Sequence, residues 1–213
     1  MAMTDSTGRH DHKKVAAILL AAGGSTRMGQ PKLLLHWHGQ PLVRWTARLA
    51  LFTGCEPVLV VTGANAQEVQ TALAGLPLIF TRNLDWQKGQ STSVKAGVKA
   101  LPAGIDAALV FLGDQPHIPP RVPRELLRVF QQDDPAEAIL IPAYQGKRAN
   151  PVLLEKRLFE ALARLSGDAG ARALFSQFPV KQVPFEEPDL AFDVDSPEDY
   201  QKLLARPAPL FKD

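Results

Sequence analysis

The sequence predicts an α/β protein, organised as one three-layer α/β/α domain with a mostly parallel central sheet. Short apolar runs typical of buried strands alternate from end to end with segments that show helical spacing. No internal repeat and no linker rich in glycine, proline and serine divides the chain. A length of 213 residues is sufficient for one substantial core. We therefore expect a disordered arm at residues 1–13 and a single domain at residues 14–213.

The predicted strands are short runs of aliphatic residues. The first, Val15–Ala21, is apolar throughout and stops at two glycines, which is typical of a parallel strand buried on both faces. The remaining strands are expected at residues 57–63, 77–80, 107–114, 138–143 and 180–183.

The predicted helices carry apolar residues at helical spacing. Leu42, Trp45 and Leu49 form such a stripe within residues 41–53, and Gly54 is placed to end that helix. Asn65 is the expected cap of a helix at residues 66–73. Further helices are expected at residues 92–100, from Pro119 and Pro120 onward, and at residues 155–165, 169–178 and 197–205.

Composition excludes several classes of protein. Lys and Arg number 24 against 22 Asp and Glu, and this net charge of +2 argues against a nucleic-acid-binding protein. The single cysteine, Cys55, excludes an internal disulfide framework and favours a reducing compartment. The longest apolar run near the N-terminus is far shorter than the roughly 20 residues that span a bilayer. These features predict a cytoplasmic protein without nucleic-acid or membrane partners.

A glycine-rich loop follows the first predicted strand, with the sequence AAGGSTRMGQPK. Its glycines permit sharp turns that present backbone N–H groups to phosphate oxygens, and Arg27 and Lys32 could neutralise a polyphosphate. The spacing fits neither a Walker A loop, because Gln30 follows Gly29, nor the dinucleotide fingerprint G-x-G-x-x-G. From spacing alone, an ordinary flexible loop stays an equal alternative.

Aspartates occur where an apolar strand should end. Asp114 closes the predicted strand at residues 107–114, and a carboxylate beside a phosphate loop suits Mg²⁺. Asp193 and Asp195 are expected on one side of a short strand, which makes them further candidate metal ligands. A turn or helix-capping role is the alternative for Asp114. Ser196 begins the last predicted helix, so the aspartates before it are left for chemistry.

Two polar loops supply further candidates. Residues 146–151 contain Arg148 and Asn150, and residues 166–172 contain Asp168 and Arg172. From spacing alone, a capped turn is the simpler reading of the second loop.

Together these motifs resemble a known enzyme family. The stretch LAAGGSTRMGQPK at residues 20–32 is similar to the signature L-A-[AG]-G-x-S-x-R-M-G-x-x-K of the Rossmann-like nucleotidyltransferases. The motifs GDQP, GKRANPV, GDAGAR and DVDSPEDY resemble, in order, the later motifs of the molybdenum cofactor cytidylyltransferase family within the molybdopterin branch. The sequence departs from that family at Ala149, where glycine is usual, and at Asn150, where histidine is common.

The resemblance implies a Rossmann-like nucleotidyltransferase fold and a defined reaction. The family transfers a nucleoside monophosphate from an NTP to the terminal phosphate of molybdopterin-bound molybdenum cofactor and releases pyrophosphate. For this protein the resemblance implies transfer of CMP from CTP with Mg²⁺ or Mn²⁺ as the cofactor. It implies that Arg27, Lys32 and Asp114 are catalytic and that Asp114, Asp195 and Asp193 surround the metal. The implied nucleotide-binding residues are Ala21, Ala22, Gly23, Gly24, Ser25, Arg27, Lys32, Gln90, Ser91 and Ser93. The implied acceptor-binding residues are Arg148, Asn150, Asp168 and Arg172.

The choice of nucleotide depends on Ala22. Guanylyltransferases of this group often carry glycine there, so the methyl group favours the smaller pyrimidine. A GTP-using guanylyltransferase, a nucleotidyltransferase for another phosphorylated acceptor, and an inactive nucleotide sensor are the alternatives. A nicotinamide dehydrogenase is disfavoured by the missing fingerprint. A molybdenum hydroxylase-type apoenzyme or its chaperone is the implied protein partner.

Overall fold

An eight-stranded sheet runs through the centre of the protein in the computed structural model, which describes residues 12–25, 28–132, 138–167 and 170–211. Its strands are β1 (Val15–Ala21), β4 (Val58–Thr62), β5 (Ile79–Arg82), β6 (Ala107–Leu112), β7 (Ile139–Tyr144), β8 (Lys147–Arg148), β9 (Val152–Glu155) and β10 (Val180–Pro184). A separate hairpin pairs β2 (His36–Trp37) with β3 (Gln40–Pro41). The helices are α1 (Leu42–Phe52), α2 (Ala66–Ala72), α3 (Gln90–Lys99), α4 (Arg121–Gln132), α5 (Phe159–Ala163) and α6 (Pro197–Leu204).

The strand order explains where a ligand should bind. It runs β10-β7-β9-β6-β1-β4-β5, with β8 paired beside β7. Strands β6, β1, β4 and β5 are mutually parallel, and β10 is parallel to β7, whereas β9 is antiparallel to both of its neighbours. The prediction of a mostly parallel sheet is confirmed. Because the chain leaves β1 in one direction and returns to its other side with β6, the carboxyl ends of β1 and β6 form a topological switch point.

Helices cover both faces of the sheet because the strands are apolar on both faces. In β1, Ala17, Leu19 and Ala21 face a core shared with α1, α2 and α4, while Ile18 and Leu20 face a second core shared with α3 and α5. This alternation follows from the two-residue period of a strand. The predicted three-layer arrangement is therefore correct.

A third cluster of buried residues is rich in aromatic side chains. Trp37 and Trp45 meet edge to face with ring centroids 5.5 Å apart, and Phe211 stacks on Trp45 at 6.0 Å. Val194 and Leu203 are buried in the same group. The aromatic cluster therefore joins the β2–β3 hairpin to the C-terminal helix α6.

Most element boundaries agree with the prediction to within two residues, and Gly54 ends α1 in the left-handed region with φ of +75°. The prediction at residues 155–165 is partly wrong, because Glu155 closes the unpredicted strand β9 and a 3₁₀ turn at Lys156–Leu158 precedes α5. The prediction at residues 169–178 is also wrong, since the described part forms a short 3₁₀ helix at Gly170–Leu174.

Two local predictions need correction. Among the described residues, the Asn65 side chain accepts no capping hydrogen bond, since its backbone lies outside the extended region that capping residues normally occupy. Residues 192–195 form no strand in the described structure. Ser196 does cap α6 as expected, in a reciprocal capping box with Asp199.

Residues 1–11 of the predicted N-terminal arm lie outside the described residues. Lys13, the last residue of that arm, donates its backbone N–H to Gln131 and its ammonium to the carbonyl of Phe130. In the described part of the chain, no helix is both long enough and apolar enough to cross a membrane.

Candidate active site

A cavity of about 550 Å³ opens at the switch point, where β1 and β6 end. The sheet supplies its floor, the glycine-rich loop one wall, and the segment before and at the start of α3 another. It is lined by Leu20, Ala22, Gly23, Gly24, Ser25, Met28, Lys32, Leu33, Trp86, Gln87, Gly89, Gln90, Ser93, Leu112, Gly113, Asp114 and Asp195. The chain therefore brings together at one place several residues that lie far apart in the sequence.

The glycine-rich loop turns sharply at Ser25. This residue adopts a positive φ of 54°, its hydroxyl accepts the backbone N–H of Lys32 at 2.9 Å, and its carbonyl accepts the N–H of Met28 at 3.0 Å. The hydrogen bond from Lys32 N–H to Ser25 fixes the position of the Lys32 backbone and therefore the origin of its side chain. Arg27, predicted to be catalytic, lies outside the described residues.

Lys32 bridges two carboxylates across the cavity. Its ammonium lies 2.6 Å from Asp114 Oδ2 and 2.9 Å from Asp195 Oδ1, and its side chain is 13% exposed. Burial lowers the pKa of Lys32, but charge attraction and hydrogen bonds from Asp114 and Asp195 outweigh that effect, so the pKa is raised. The ammonium is therefore held charged between the two acids.

Asp193 lies beside this pair. Its carboxylate accepts a hydrogen bond from Nε2 of Gln115, the residue that follows Asp114. Burial and the negative charges of Asp114 and Asp195 raise the pKa of Asp193, although Gln115 and Lys32 oppose the shift. The predicted metal carboxylates thus share one neighbourhood, even though the strand expected to present two of them is absent from the described residues.

The described residues contain no ready cluster of three or more His, Cys, Asp or Glu side chains placed to hold a metal ion. Asp114 and Asp195 instead converge on the Lys32 ammonium. A pair of carboxylates that already shares one cation has the donor chemistry that Mg²⁺ or Mn²⁺ requires.

The wall formed by residues 86–93 contains predicted and unpredicted residues. Gln90 and Ser93 line the cavity as expected, and Ser93 also accepts a hydrogen bond from Asn83 at 3.0 Å. Ser91 is fully buried, and Ala21 is buried within β1, so neither of these predicted nucleotide-binding residues lines the cavity. Trp86, which sequence reasoning missed, lies against Gly24: a Cβ added to that glycine would be 2.8 Å from the indole.

A smaller cavity of about 40 Å³ adjoins the first and shares Leu20, Gln90 and Leu112 with it. Two predicted acceptor-binding residues, Asn150 and Arg172, line it. Arg148 lies on the exposed strand β8 with its guanidinium 5.5 Å from the ring centroid of Phe175, another lining residue. Asp168 lies outside the described residues.

Trp86 and Gln115 are two neighbours of the predicted site residues that sequence reasoning overlooked. An isolated aromatic residue in the polar loop RNLDWQKGQSTS was the available signal for Trp86. For Gln115 the signal was its position directly after Asp114, at a strand end.

A mostly parallel sheet with a glycine-rich turn after an inner strand is the architecture of the Rossmann-like nucleotidyltransferases. The chain matches the MobA-like NTP transferase domain over residues 17–183 and belongs to that family, so this protein is an enzyme of the nucleotidyltransferase class.

Two curated relatives align with this chain over most of its length. The chain is 34% identical over 204 residues to nicotine blue oxidoreductase of Paenarthrobacter nicotinovorans, covering 92% of this chain and all of the relative. It is 28% identical over 188 residues to molybdenum cofactor cytidylyltransferase of Escherichia coli, covering 87% of this chain and 93% of the relative.

Solved structures show the same architecture. The crystal structure of Rv0371c from Mycobacterium tuberculosis superposes with a TM-score of 0.79 at 26% identity, covering 92% of this chain and all of that one. A structure of Rv0371c in complex with manganese superposes with a TM-score of 0.75 at 24% identity over the same shares of both chains.

Proposed function

We propose that this protein transfers CMP from CTP to molybdopterin-bound molybdenum cofactor and releases pyrophosphate. The observation that carries the proposal is the Lys32 ammonium, held between Asp114 and Asp195 in a cavity walled by the glycine-rich loop. Similarity to the Escherichia coli cytidylyltransferase supports the choice of acceptor. A cytoplasmic location, and delivery of the product to a molybdenum hydroxylase-type apoenzyme or its chaperone, complete the proposal.

In this mechanism the glycine-rich loop holds the triphosphate. Backbone N–H groups of Gly23, Gly24 and Ser25 donate to phosphate oxygens, and Arg27 neutralises the leaving β- and γ-phosphates. A terminal phosphate oxygen of the acceptor attacks the α-phosphorus, and the bond from that phosphorus to the oxygen bridging to the β-phosphate breaks. No acid–base side chain is required, because the attacking phosphate is already an anion.

Lys32 changes partner during the reaction. In the nucleotide-free protein its charge is satisfied by Asp114 and Asp195. When CTP binds, the ammonium turns to the α-phosphate, where negative charge builds as the new bond forms. Asp114 and Asp195, with Asp193 nearby, would then hold Mg²⁺ or Mn²⁺. That ion, when bound, supplies positive charge to the phosphate oxygens.

The choice of CTP rests on Ala22. This residue lines the cavity, is 4% exposed, and accepts the backbone N–H of Ala64 at 3.2 Å through its carbonyl. Gly63 packs so closely on Ala22 that an added Cβ would lie 2.5 Å from its carbonyl oxygen. The Ala22 methyl therefore has little freedom to move and narrows the room for a base, while Gln90 and Ser93 supply hydrogen bonds.

The smaller cavity is the proposed entrance for the acceptor. Asn150 and Arg172 line it and Arg148 lies near it. Asp168 joins this proposal from the sequence motif alone. Two arginines suit the phosphate of the pterin substrate.

Incubation with each of the four nucleoside triphosphates, a divalent cation and molybdenum cofactor tests the proposal. We expect pyrophosphate release with CTP and a product that carries CMP, identified by mass spectrometry. Steady turnover with GTP and none with CTP would show that the nucleotide is wrong. Pyrophosphate release with another phosphorylated acceptor alone would show that the acceptor is wrong.

An oxidoreductase is the second candidate. The relative that is 34% identical to this chain, and that aligns with it over its full length, is named nicotine blue oxidoreductase. The missing G-x-G-x-x-G pattern argues against a dinucleotide site of the usual kind. Oxidation of a reduced nicotinamide cofactor by nicotine blue, followed by absorbance, distinguishes the two. Steady oxidation without any nucleotidyl transfer would favour the oxidoreductase.

Replacement of Asp114 by alanine should abolish pyrophosphate release while the fold is retained. Its carboxylate lies on the cavity wall rather than in the core, so its removal leaves the packing intact. Asp106→Ala is a matched control, because Asp106 precedes the same strand β6 at its opposite end and pairs with Lys156 on the surface. Activity of Asp114→Ala close to that of the control would exclude Asp114 from the mechanism.

A further inference from the structure

A loop without regular structure carries two of the three candidate metal carboxylates. This carboxylate loop, residues 192–196, connects a 3₁₀ turn at Pro188–Ala191 to α6. Backbone hydrogen bonds of a strand or helix therefore do not fix the directions of Asp193 and Asp195. The backbone of the loop is held at its ends, where Phe192 donates to the carbonyl of Asp189 and Asp195 and Ser196 donate to the carboxylate of Asp199. The directions of the Asp193 and Asp195 carboxylates depend on contacts of their side chains.

The first contact runs through Lys32. Its ammonium bonds Asp195 at 2.9 Å and Asp114 at 2.6 Å, which links the carboxylate loop to the end of β6. Under the proposed function this link is broken in the loaded enzyme, since Lys32 turns to the α-phosphate.

The second contact does not use a mobile cation. Gln115 is 3% exposed, and its Nε2 donates to the carboxylate of Asp193. Because Gln115 follows Asp114 in the chain, both contacts start from the same turn after β6, and they reach two aspartates separated by one residue.

The third contact is apolar. Val194 lies between the two aspartates, is fully buried, and belongs to the aromatic cluster with Trp37 and Trp45. Such burial holds the loop against the protein, but it is non-directional and does not aim a carboxylate. A hydrogen bond from an amide N–H to a carboxylate oxygen does have a preferred direction.

We propose that Gln115 is a positioning residue that keeps the carboxylate loop in place when Lys32 turns to the nucleotide. Through Asp193 it holds Asp195 facing Asp114. The part of this proposal that concerns nucleotide binding rests on the proposed function. In the nucleotide-free protein, Gln115 and Lys32 each hydrogen-bond one aspartate of the carboxylate loop, and together they hold that loop.

Hydrogen exchange of the full-length protein tests whether Gln115 and Lys32 together hold the carboxylate loop. The variants are Gln115→Met, Lys32→Gln and the double variant; methionine fills the space of glutamine but donates no hydrogen bond. Gln131→Met is the matched control, because Gln131 hydrogen-bonds Lys13 far from the cavity. We expect the amides of residues 192–196 to exchange faster in each single variant than in the control. In the double variant we expect an increase in exchange rate of about tenfold or more, greater than the product of the two single-variant increases.

Kinetics with CTP and a divalent cation test the part that depends on nucleotide. Gln115→Met should lower kcat/KM about tenfold or more and raise the cation concentration needed for half-maximal rate. A merely structural role would lower thermal stability without that shift in cation requirement. Measurement of Mn²⁺ affinity by electron paramagnetic resonance, with CTP present, gives a readout independent of turnover.

Two results would overturn the proposal. Exchange at residues 192–196 of the double variant equal to that of Gln131→Met would mean that Gln115 and Lys32 do not hold the loop and that its other contacts, such as buried Val194 and the Ser196–Asp199 capping box, are sufficient. An unchanged cation requirement and Mn²⁺ affinity in Gln115→Met would mean that Gln115 does not position Asp195. If the wild-type protein transfers no nucleotide, the proposed function fails, and the exchange experiment still decides whether Gln115 and Lys32 share the loop.

Discussion

Gly24 leaves room for an aromatic side chain on the wall of the cavity. The indole of Trp86 lies where a Cβ would project, and Gly23 next to it has no described atom within 4 Å of its own Cβ position. Both glycines have negative φ, so alanine strains the backbone at neither position. They differ in that an added Cβ would contact Trp86 at Gly24 and no described atom at Gly23.

This difference predicts unequal effects of alanine at the two positions. Gly24→Ala should displace the Trp86 ring and raise KM for the nucleotide several-fold, because the ring and the loop form one wall of the cavity. The loss in free energy of unfolding should stay near 1 kcal/mol, since the tip of a side chain can move. Tryptophan fluorescence and KM are the measurements.

Gly23→Ala is the control and should leave the fluorescence unchanged. Equal effects at both positions would mean that Trp86 does not respond to the loop.

Single residues differ in how far the sequence revealed them. Lys32 and Asp114 could be predicted to lie close together, because each follows a strand of a parallel sheet and the carboxyl ends of such strands share one edge. Asp195 was placed with Asp114 by the family resemblance, since the strand expected to present it is absent from the described residues. Gln115 could not be assigned, since an amide acts here by reaching another chain segment that only the fold brings near. Ser91 was expected to bind nucleotide from its place in a polar loop, but it lies within α3 and is fully buried.

Helix α3 packs on the sheet through a glycine. A Cβ at Gly97 would lie 2.6 Å from Cγ2 of Ile18 and 3.2 Å from Cγ2 of Val61. Neither neighbour can move easily, because Ile18 and Val61 are fully buried in adjacent strands.

Gly97→Ala should therefore destabilise the protein despite the better helix propensity of alanine. Propensity favours alanine by about 1 kcal/mol, whereas overpacking a well-packed core costs about 1–3 kcal/mol. We expect a net loss of about 1 kcal/mol, measured by chemical denaturation. Increased stability would mean that Ile18 and Val61 can repack.

The elements show which information is local and which is not. Val15–Ala21 was predicted to the residue because a continuous apolar run between a charged lead and two glycines has a single interpretation. Strand β9 was missed because it has only four residues and is stabilised by antiparallel pairing with β6 and β7, which are distant from it in the sequence or identifiable as its partners only in the fold. The helix expected at residues 169–178 is a 3₁₀ turn whose first residue, Gly170, has a positive φ of 54° that a helical pattern does not reveal.

At the scale of the whole molecule, one histidine should make stability depend on pH. Burial lowers the pKa of His117 to about 4, and the nearby Arg206 adds to this effect while Asp189 and Asp114 oppose it. Between pH 6.5 and about 4 the unfolded chain therefore binds a proton at this site that the folded chain does not.

The free energy of unfolding should accordingly fall as pH decreases through that window, by on the order of 3 kcal/mol from this group, and the effect should level off below pH 4. His117→Gln should flatten that part of the curve, whatever its effect on stability at neutral pH. Denaturation at a series of pH values is the measurement. Parallel curves for the two proteins would show that His117 is not the group responsible.

The cavity floor has a practical consequence for substrate discovery. Leu20 and Ala22 belong both to the lining of the cavity and to the hydrophobic core beneath the sheet. A molecule that binds this cavity in the folded protein and not the unfolded chain raises the free energy of unfolding, by an amount set by its concentration and its dissociation constant. Candidate nucleotides and phosphorylated acceptors can therefore be ranked by the increase in melting temperature that each causes. Such a screen needs no label and no assay for a product.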